Sequence, residues 1–335
     1  MLPSVRALLS GIIDYAGMFP PAKLPLDQAI RKYARYRTEP ESWMLGRFIC
    51  PAARLSELEP YLPELFSPER PLSISGLGQG GNSISEFVTR LRADLEMLAN
   101  FQKKSQGSAV VEILEARLPN DVVDVKSLKS QIPKISQLNR QICQIMDSAA
   151  CHTLPIFLEI PLRQNWRQTL AWITPILWQA IVMGAQGNTN PGRNRSGGVK
   201  IRCGGMEPAA FPTPEEIAGA IAICQERLVS LKATAGLHHP IRHFNAELKT
   251  VMHGFLNVFV AGVLTFANRR TEKEVQVIIE DEDPKNFVFD DDGLRWKTYR
   301  AKTAQIETAR REFITSFGSC SFDEPRDDLR ALGLI

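Results

Sequence analysis

Several signatures that would assign a chemistry at once are missing from this chain. None of its six cysteines forms a Cys-x-x-Cys pair, which argues against a zinc knuckle or a disulfide framework. Reduced thiols and a cytoplasmic setting are the simplest expectation. There is no His-Glu-x-x-His or His-x-His run among the five histidines, so no metal or cofactor is expected. No apolar run approaches the length of a membrane span, and the patch within Met1 to Ile13 is too short for a signal peptide. Basic stripes with interleaved aromatics are also missing, and the formal charge is only +3. Neither nucleic acid nor a membrane is therefore an expected partner. What is present is ordinary for a globular protein: 335 residues, 44% hydrophobic and 23% charged. That length suits one (β/α)8 barrel with insertions, or two smaller domains.

The informative stretch runs from Gly198 to His239. Two short apolar runs, Val199 to Cys203 and Leu228 to Thr234, each carry a lysine and each end at glycine: Gly204-Gly205 and Gly236. Between them Thr213-Pro214-Glu215-Glu216 starts a helix, with a hydroxyl N-cap, proline at the first helical position and acids in the first turn. Strand, helix, strand at this spacing is a βαβ unit. Lys200 and Lys232 occupy equivalent places near the carboxyl ends of the two strands, where α/β sheets and barrels bind ligands. Alternation puts Lys200, Arg202 and Gly204 on one face, and Lys232 with Thr234 on another. If those faces are internal, like charge and desolvation both lower a lysine pKa, and a neutral amine is the nucleophile of Schiff-base chemistry. The bland alternative is two lysines with their heads in solvent.

Taken in order, the chain reads as strands at Ser10 to Pro21 (ending at Asp14 and Tyr15), Trp43 to Pro51, Leu72 to Gly81, Ser108 to Pro119 and Leu154 to Leu162, followed by the two above. Helical segments at Pro25 to Tyr36, near Leu55 to Leu65, at Ser85 to Phe101, Ile132 to Ala149 and Trp166 to Met183 separate them. This alternation argues for a single barrel domain over residues 1–335. Gly184 to Gly198 is biased toward glycine, asparagine and arginine, and reads as a loop. Two stretches compete for the eighth strand, residues 255–262 and 313–321. The second is preferred, because a closing helix follows it from Asp323. An insertion over about 265–302 then holds a helix, Glu272 to Ile279, and a hairpin turning at Asp292-Gly293; a further helix, Thr303 to Arg311, follows it.

With these residues placed, the sequence resembles deoxyribose-phosphate aldolase and its class I aldolase relatives. KIRCGG, TPEE and LKATAGL stand in the order and spacing of that family's strand-six lysine motif, helix start and strand-seven lysine motif. IIDYAGMFPPAKLPLDQAI, FICPAARL, VVEILEA and GSCS are similar in kind to its first, second, fourth and last strands. The resemblance implies a (β/α)8 TIM barrel and a carbon-carbon lyase whose Schiff base forms on Lys200 with a small carbonyl substrate, one that carries a phosphate or carboxylate. Lys232, Glu112 and Asp14 would assist as proton-moving groups. Glu112 and Glu115 alternate on their strand, so at most one enters the barrel, and register with the family favours Glu112. Arg202, Gly204, Gly205, Thr234, Gly236, His238, His239, Glu159, Gly318 and Ser319 would bind substrate. A homo-oligomer is compatible with this family. Arg202 and Cys203 stand where the family has small hydroxyl residues, and His238-His239 where it has a slim glycine-rich loop. Two alternatives therefore stay open: a catalytically lapsed barrel used for binding or assembly, and a metal-assisted hydrolase using His239 and His243.

Overall fold

The computed structural model describes residues 1–123, 133–134, 136–138, 140–142, 144–145, 154–162, 165–185 and 197–335, with backbone alone at 176 and 178–185. Much of the expected helix at Ile132 to Ala149, and most of the loop at Gly184 to Gly198, lie outside the described residues.

Eight short strands carry the fold: β1 (Ile13–Tyr15), β2 (Leu45–Pro51), β3 (Leu72–Leu77), β4 (Ala109–Arg117), β5 (Ile156–Ile160), β6 (Gly198–Arg202), β7 (Ser230–Thr234) and β8 (Ile314–Ser319). They close into a barrel in the order β1-β8-β7-β6-β5-β4-β3-β2, with the neighbouring pairs parallel. Helices lie between successive strands, so the chain is a TIM barrel, as its alternation of elements implies. By its contacts it divides into two compact units: Met1–Pro25, Arg35–Gly46 and Ile201–Ile335 form one, Leu26–Ala34 and Arg47–Lys200 the other. No helix among the described residues is long and apolar enough to cross a membrane.

In the second unit, β3 and β4 pair from Leu72↔Ala109 to Leu77↔Glu115, with a register shift between Ile74 and Ser75 that leaves Glu112 as the extra residue on β4. The helix Ile84–Lys104 is capped by Ser83, whose hydroxyl accepts from the Glu86 amide. Its buried Asp94 accepts from both the backbone and the side-chain amide of Gln79, at 2.9 and 3.2 Å, and so fixes the loop after β3. Burial pushes the Asp94 carboxyl up from its ordinary range. The segment after β2 is a 3₁₀ helix, Ala52–Tyr61, that runs into one α-turn at Leu62–Leu65. Pro60 and Pro63 each remove an amide donor and crowd the preceding turn, which favours the tighter coil.

In the first unit, the ambiguous run at 255–262 is a helix, Phe255–Asn268, buried from Phe255 through Thr265. Its Phe255 ring stacks on Phe317 of β8 at 5.2 Å, so the two stretches that competed for the last strand pack against each other. The βαβ helix, Pro214–Glu226, starts in a full capping box between Thr213 and Glu216. The inserted hairpin has a third strand: Phe287–Phe289, Gly293–Trp296 and Tyr299–Lys302 form an antiparallel meander, whose second turn holds Lys297 at φ +51°. A short hairpin, His243–Asn245 with Thr250–Met252, and an opening helix, Pro3–Leu9, are elements the sequence pattern did not disclose. Cys50, Cys203, Cys224 and Cys320 are free and buried.

The ends of β6 and β7 meet at glycine. Gly236 has φ +72°, and a Cβ there would lie 2.7 Å from the Gly204 Cα and 2.9 Å from the Cys203 carbonyl oxygen. Gly236→Ala is therefore expected to lower stability by about 1–3 kcal/mol, measured as the shift of a urea unfolding midpoint at constant slope. An unshifted midpoint would show that the two strand ends do not need this approach.

Candidate functional site

Each unit places a buried lysine against acids drawn from its own strands. In the second unit Lys200, on β6, is 4% exposed. Its Nζ lies 2.6 Å from Glu115 Oε2 of β4 and 2.9 Å from Glu159 Oε2 of β5. The Ser75 hydroxyl of β3 donates to Glu115 Oε1 at 2.5 Å. Ser75 and Glu115 are themselves buried, and β4–β5 pairing sets Phe157 beside Glu115, so the group sits in a largely apolar surround. An ammonium in such a place is stable only when carboxylates neutralise it, and here two do.

This arrangement corrects two sequence expectations. The acid beside Lys200 is Glu115, not Glu112. Glu112 pairs with Arg47 of β2 at 2.9 Å, and both side chains are partly exposed. Counting alternate residues fails because Glu112 sits at the irregularity in the β3–β4 register. The Lys200 pKa is also raised, not lowered. Burial alone pulls it down, but the charges of Glu115 and Glu159, and hydrogen bonds to them, more than compensate and leave it at about 12. Like-charge reasoning from the two lysines omitted the two acids.

In the first unit Lys232, on β7, is fully buried. It is ion-paired with Asp14 of β1 and donates to the Ser316 hydroxyl of β8 at 3.0 Å; Ser316 in turn donates to Asp14 Oδ2 at 2.7 Å. The bulge between Ile314 and Phe317 is what presents Ser316. Asp14 is thus a counter-ion of Lys232.

The expected substrate-binding residues divide. Glu159 lies in the Lys200 group. Arg202, expected to share that enclosure, is exposed at the end of β6. Thr234 accepts through its carbonyl from the Cys203 amide at 2.8 Å. Gly204 and Gly236, expected to bind substrate, lie against each other; a Cβ on Gly204 would also meet the Phe211 ring at 2.5 Å, and one on Gly205 the Ala210 Cβ at 2.7 Å. Gly318 and Ser319 pair with Asp14 and Tyr15 of β1, and the Ser319 hydroxyl accepts from the Ser321 amide at 3.3 Å.

The histidines serve the closing helix, Asp323–Ala331. His238 Nδ1 is 3.1 Å from Glu324 and His239 Nδ1 is 2.6 Å from Asp328, and the hydrogen bond from His238 holds the Glu324 carboxyl below its usual range. The His239 and His243 rings meet edge to face at 4.5 Å. Three converging ligands, which hydrolysis through these residues would need, do not occur among the described residues. His253 is buried, with Nε2 donating to the Pro212 carbonyl at 2.7 Å. Burial drops its pKa to about 4, so it is neutral at pH 7.

Because the folded Lys200 pKa, about 12, exceeds its ordinary value of 10.5, its ion pairs contribute fully below about pH 10 and are lost as pH rises through 12. The difference corresponds to about 2 kcal/mol. In Lys200→Met, the loss of unfolding free energy between pH 10 and pH 12 is expected to be smaller than in the parent by that amount. Identical alkaline limbs in denaturant titrations would remove the coupling.

Comparison with known proteins adds little at the level of sequence. No protein-family profile matches the chain, and no curated protein matches it significantly. Among solved structures it is similar to the tetrameric deoxyribose phosphate aldolase from Aeropyrum pernix, at 10% identity and a TM-score of 0.46, over 98% of this chain and 93% of that one. It is also similar to the CcCel6A catalytic domain complexed with p-nitrophenyl beta-D-cellotrioside, at 9% identity and a TM-score of 0.39, over 72% of this chain and 76% of the other. At such values neither likeness bears on chemistry; the barrel is established by its own strand order.

Proposed function

We propose that this chain is a Schiff-base carbon-carbon lyase whose nucleophile is Lys200. The observation that supports the reading is the contact of one buried amine with two carboxylates, at 2.6 and 2.9 Å. In the free protein the amine rests as an ammonium. Transfer of its proton to Glu159 or Glu115 converts an ion pair into two neutral groups, which a dry site tolerates better than water does. The neutral Nζ adds to the carbonyl carbon and the carbonyl oxygen takes up a proton, giving a carbinolamine. A carboxylic acid of the pair protonates the hydroxyl, water leaves, and the iminium forms. The carboxylate left by that step takes the proton of the β-hydroxyl, the electron pair of the bond between the α and β carbons flows into the iminium, and an enamine forms as the second carbonyl product leaves. Protonation of the enamine and hydrolysis return Lys200. Glu115 takes the role that sequence reasoning gave to Glu112. Lys232 and Asp14, satisfied by each other and by Ser316, act as a structural pair.

The raised Lys200 pKa favours a second reading, in which the two-acid cage is purely structural and the barrel is a binding module. Borohydride reduction in the presence of small aldehydes and oxo acids, followed by peptide mapping, separates the two. The expected result is a stable adduct on Lys200, absent in Lys200→Ala and formed about a hundredfold more slowly in Glu159→Gln, the range usual for a lost general acid–base group. An adduct on a different lysine would reassign the nucleophile. A folded protein that gives no adduct with any carbonyl compound would leave the binding module as the function.

A further inference from the structure

The strand faces that present Glu115 and Glu159 carry one more charge, which neither the sequence pattern nor the lyase scheme uses. Arg117 lies two residues beyond Glu115 on β4, so alternation sets it on the same face, about 7 Å nearer the strand's carboxyl end. Pairing across to β5 is regular there, Glu115↔Phe157 followed by Arg117↔Glu159, so no bulge upsets this placement. Glu159, its neighbour, points its carboxylate at Lys200. The Arg117 guanidinium is left exposed. Its partner among the described residues is a neutral oxygen, Asn120 Oδ1 at 3.3 Å, and Asn120 is steadied in turn by Asn82 at 3.2 Å. Gly80, at φ +65°, passes so close that a Cβ there would lie 3.2 Å from the Arg117 carbonyl oxygen and 3.3 Å from its Cβ. The loop after β3 thus packs down on the Arg117 backbone.

We infer that Arg117 receives the carboxylate of the substrate whose carbonyl reacts at Lys200, which makes the substrate class short-chain oxo acids. This rests on the reading of Lys200 as nucleophile. Two acids around one amine repel an anionic substrate, so such a substrate needs a compensating cation on the same face. A guanidinium suits a carboxylate because its planar fork donates two parallel hydrogen bonds. The strand step from Glu115 to Arg117 is about 7 Å, a gap that the long Arg117 side chain can span toward a carboxylate bonded to the reacting carbonyl.

The test compares the parent with Arg117→Gln and Arg117→Lys, which alter an exposed side chain and leave the Lys200 group intact. Pyruvate and propanal serve as trapping probes, and oxamate, which forms no adduct, as an equilibrium probe by calorimetry. The expected result is that Arg117→Gln raises the pyruvate concentration for half-maximal trapping, and the oxamate Kd, by about tenfold or more, the worth of a charge-assisted pair. Arg117→Lys restores part of both, and propanal trapping is unchanged. Oxamate that fails to bind the parent, or binds Arg117→Gln equally well, overturns the assignment of Arg117. Adducts on Lys200 that are equal in parent and Arg117→Gln for both carbonyls also overturn it while leaving the lyase reading standing. No adduct with either carbonyl, together with oxamate binding that weakens in Arg117→Gln, removes the lyase chemistry and retains Arg117 as the carboxylate site.

Discussion

A buried ammonium is tolerated only where carboxylates reach it, and that requirement organises both units of this barrel. Around Lys232 it accounts for an aspartate on β1, a serine lifted by a bulge on β8, and glycine at position 46, where a Cβ would collide with Asp14. Around Lys200 it accounts for Glu115, Glu159 and the serine that orients Glu115. Asp14 meets Lys232. Two acids meet Lys200, so there is always a carboxylate to accept a proton while another remains to stabilise a cation. That pair of acids is the physical ground for proposing chemistry at Lys200.

The loop after β7 is held from several directions. Ala235 and Gly236 both have positive φ, a conformation an alanine adopts only under constraint. Gly236 is pressed on Gly204, and the following His238 and His239 are tied to Glu324 and Asp328. The helix that bears those acids is fixed in turn by Arg326, which is buried, ion-paired with Glu39 and Asp323, and laid over the Phe322 ring. A segment pinned in this way positions backbone.

Much of the architecture could be read from the sequence because its signals are local. The Thr213 capping box, the helix Glu272–Ile279 and the strand-ending glycines lie within a few residues of what they specify. The run at Phe255 was ambiguous because a buried helix and a buried strand share one composition, and only the packing of Phe317 upon it decides. The site was less legible. Lys200 and Glu159 could be named from strand position, yet the choice between Glu112 and Glu115 hung on a bulge that alternation cannot register. Room for a ligand and close backbone approach call for the same residue, glycine, so the pattern alone does not separate them. Arg117 carries no local motif at all; it becomes visible once the β4–β5 register is known.

The seam between the ends of β6 and β7 contains Cys203, whose amide bonds to Thr234 and whose successor rests on Gly236. Its thiol is buried, and desolvation pushes it up to about 12, so the nucleophilic thiolate is scarce and shielded from reagents. Alkylation of this one sulfur, followed by peptide mapping, would proceed only in openings of the structure that expose it. Cys203 is thus a native clock for the breathing of the barrel, already in place beside the lysine-bearing strands and needing no engineered label.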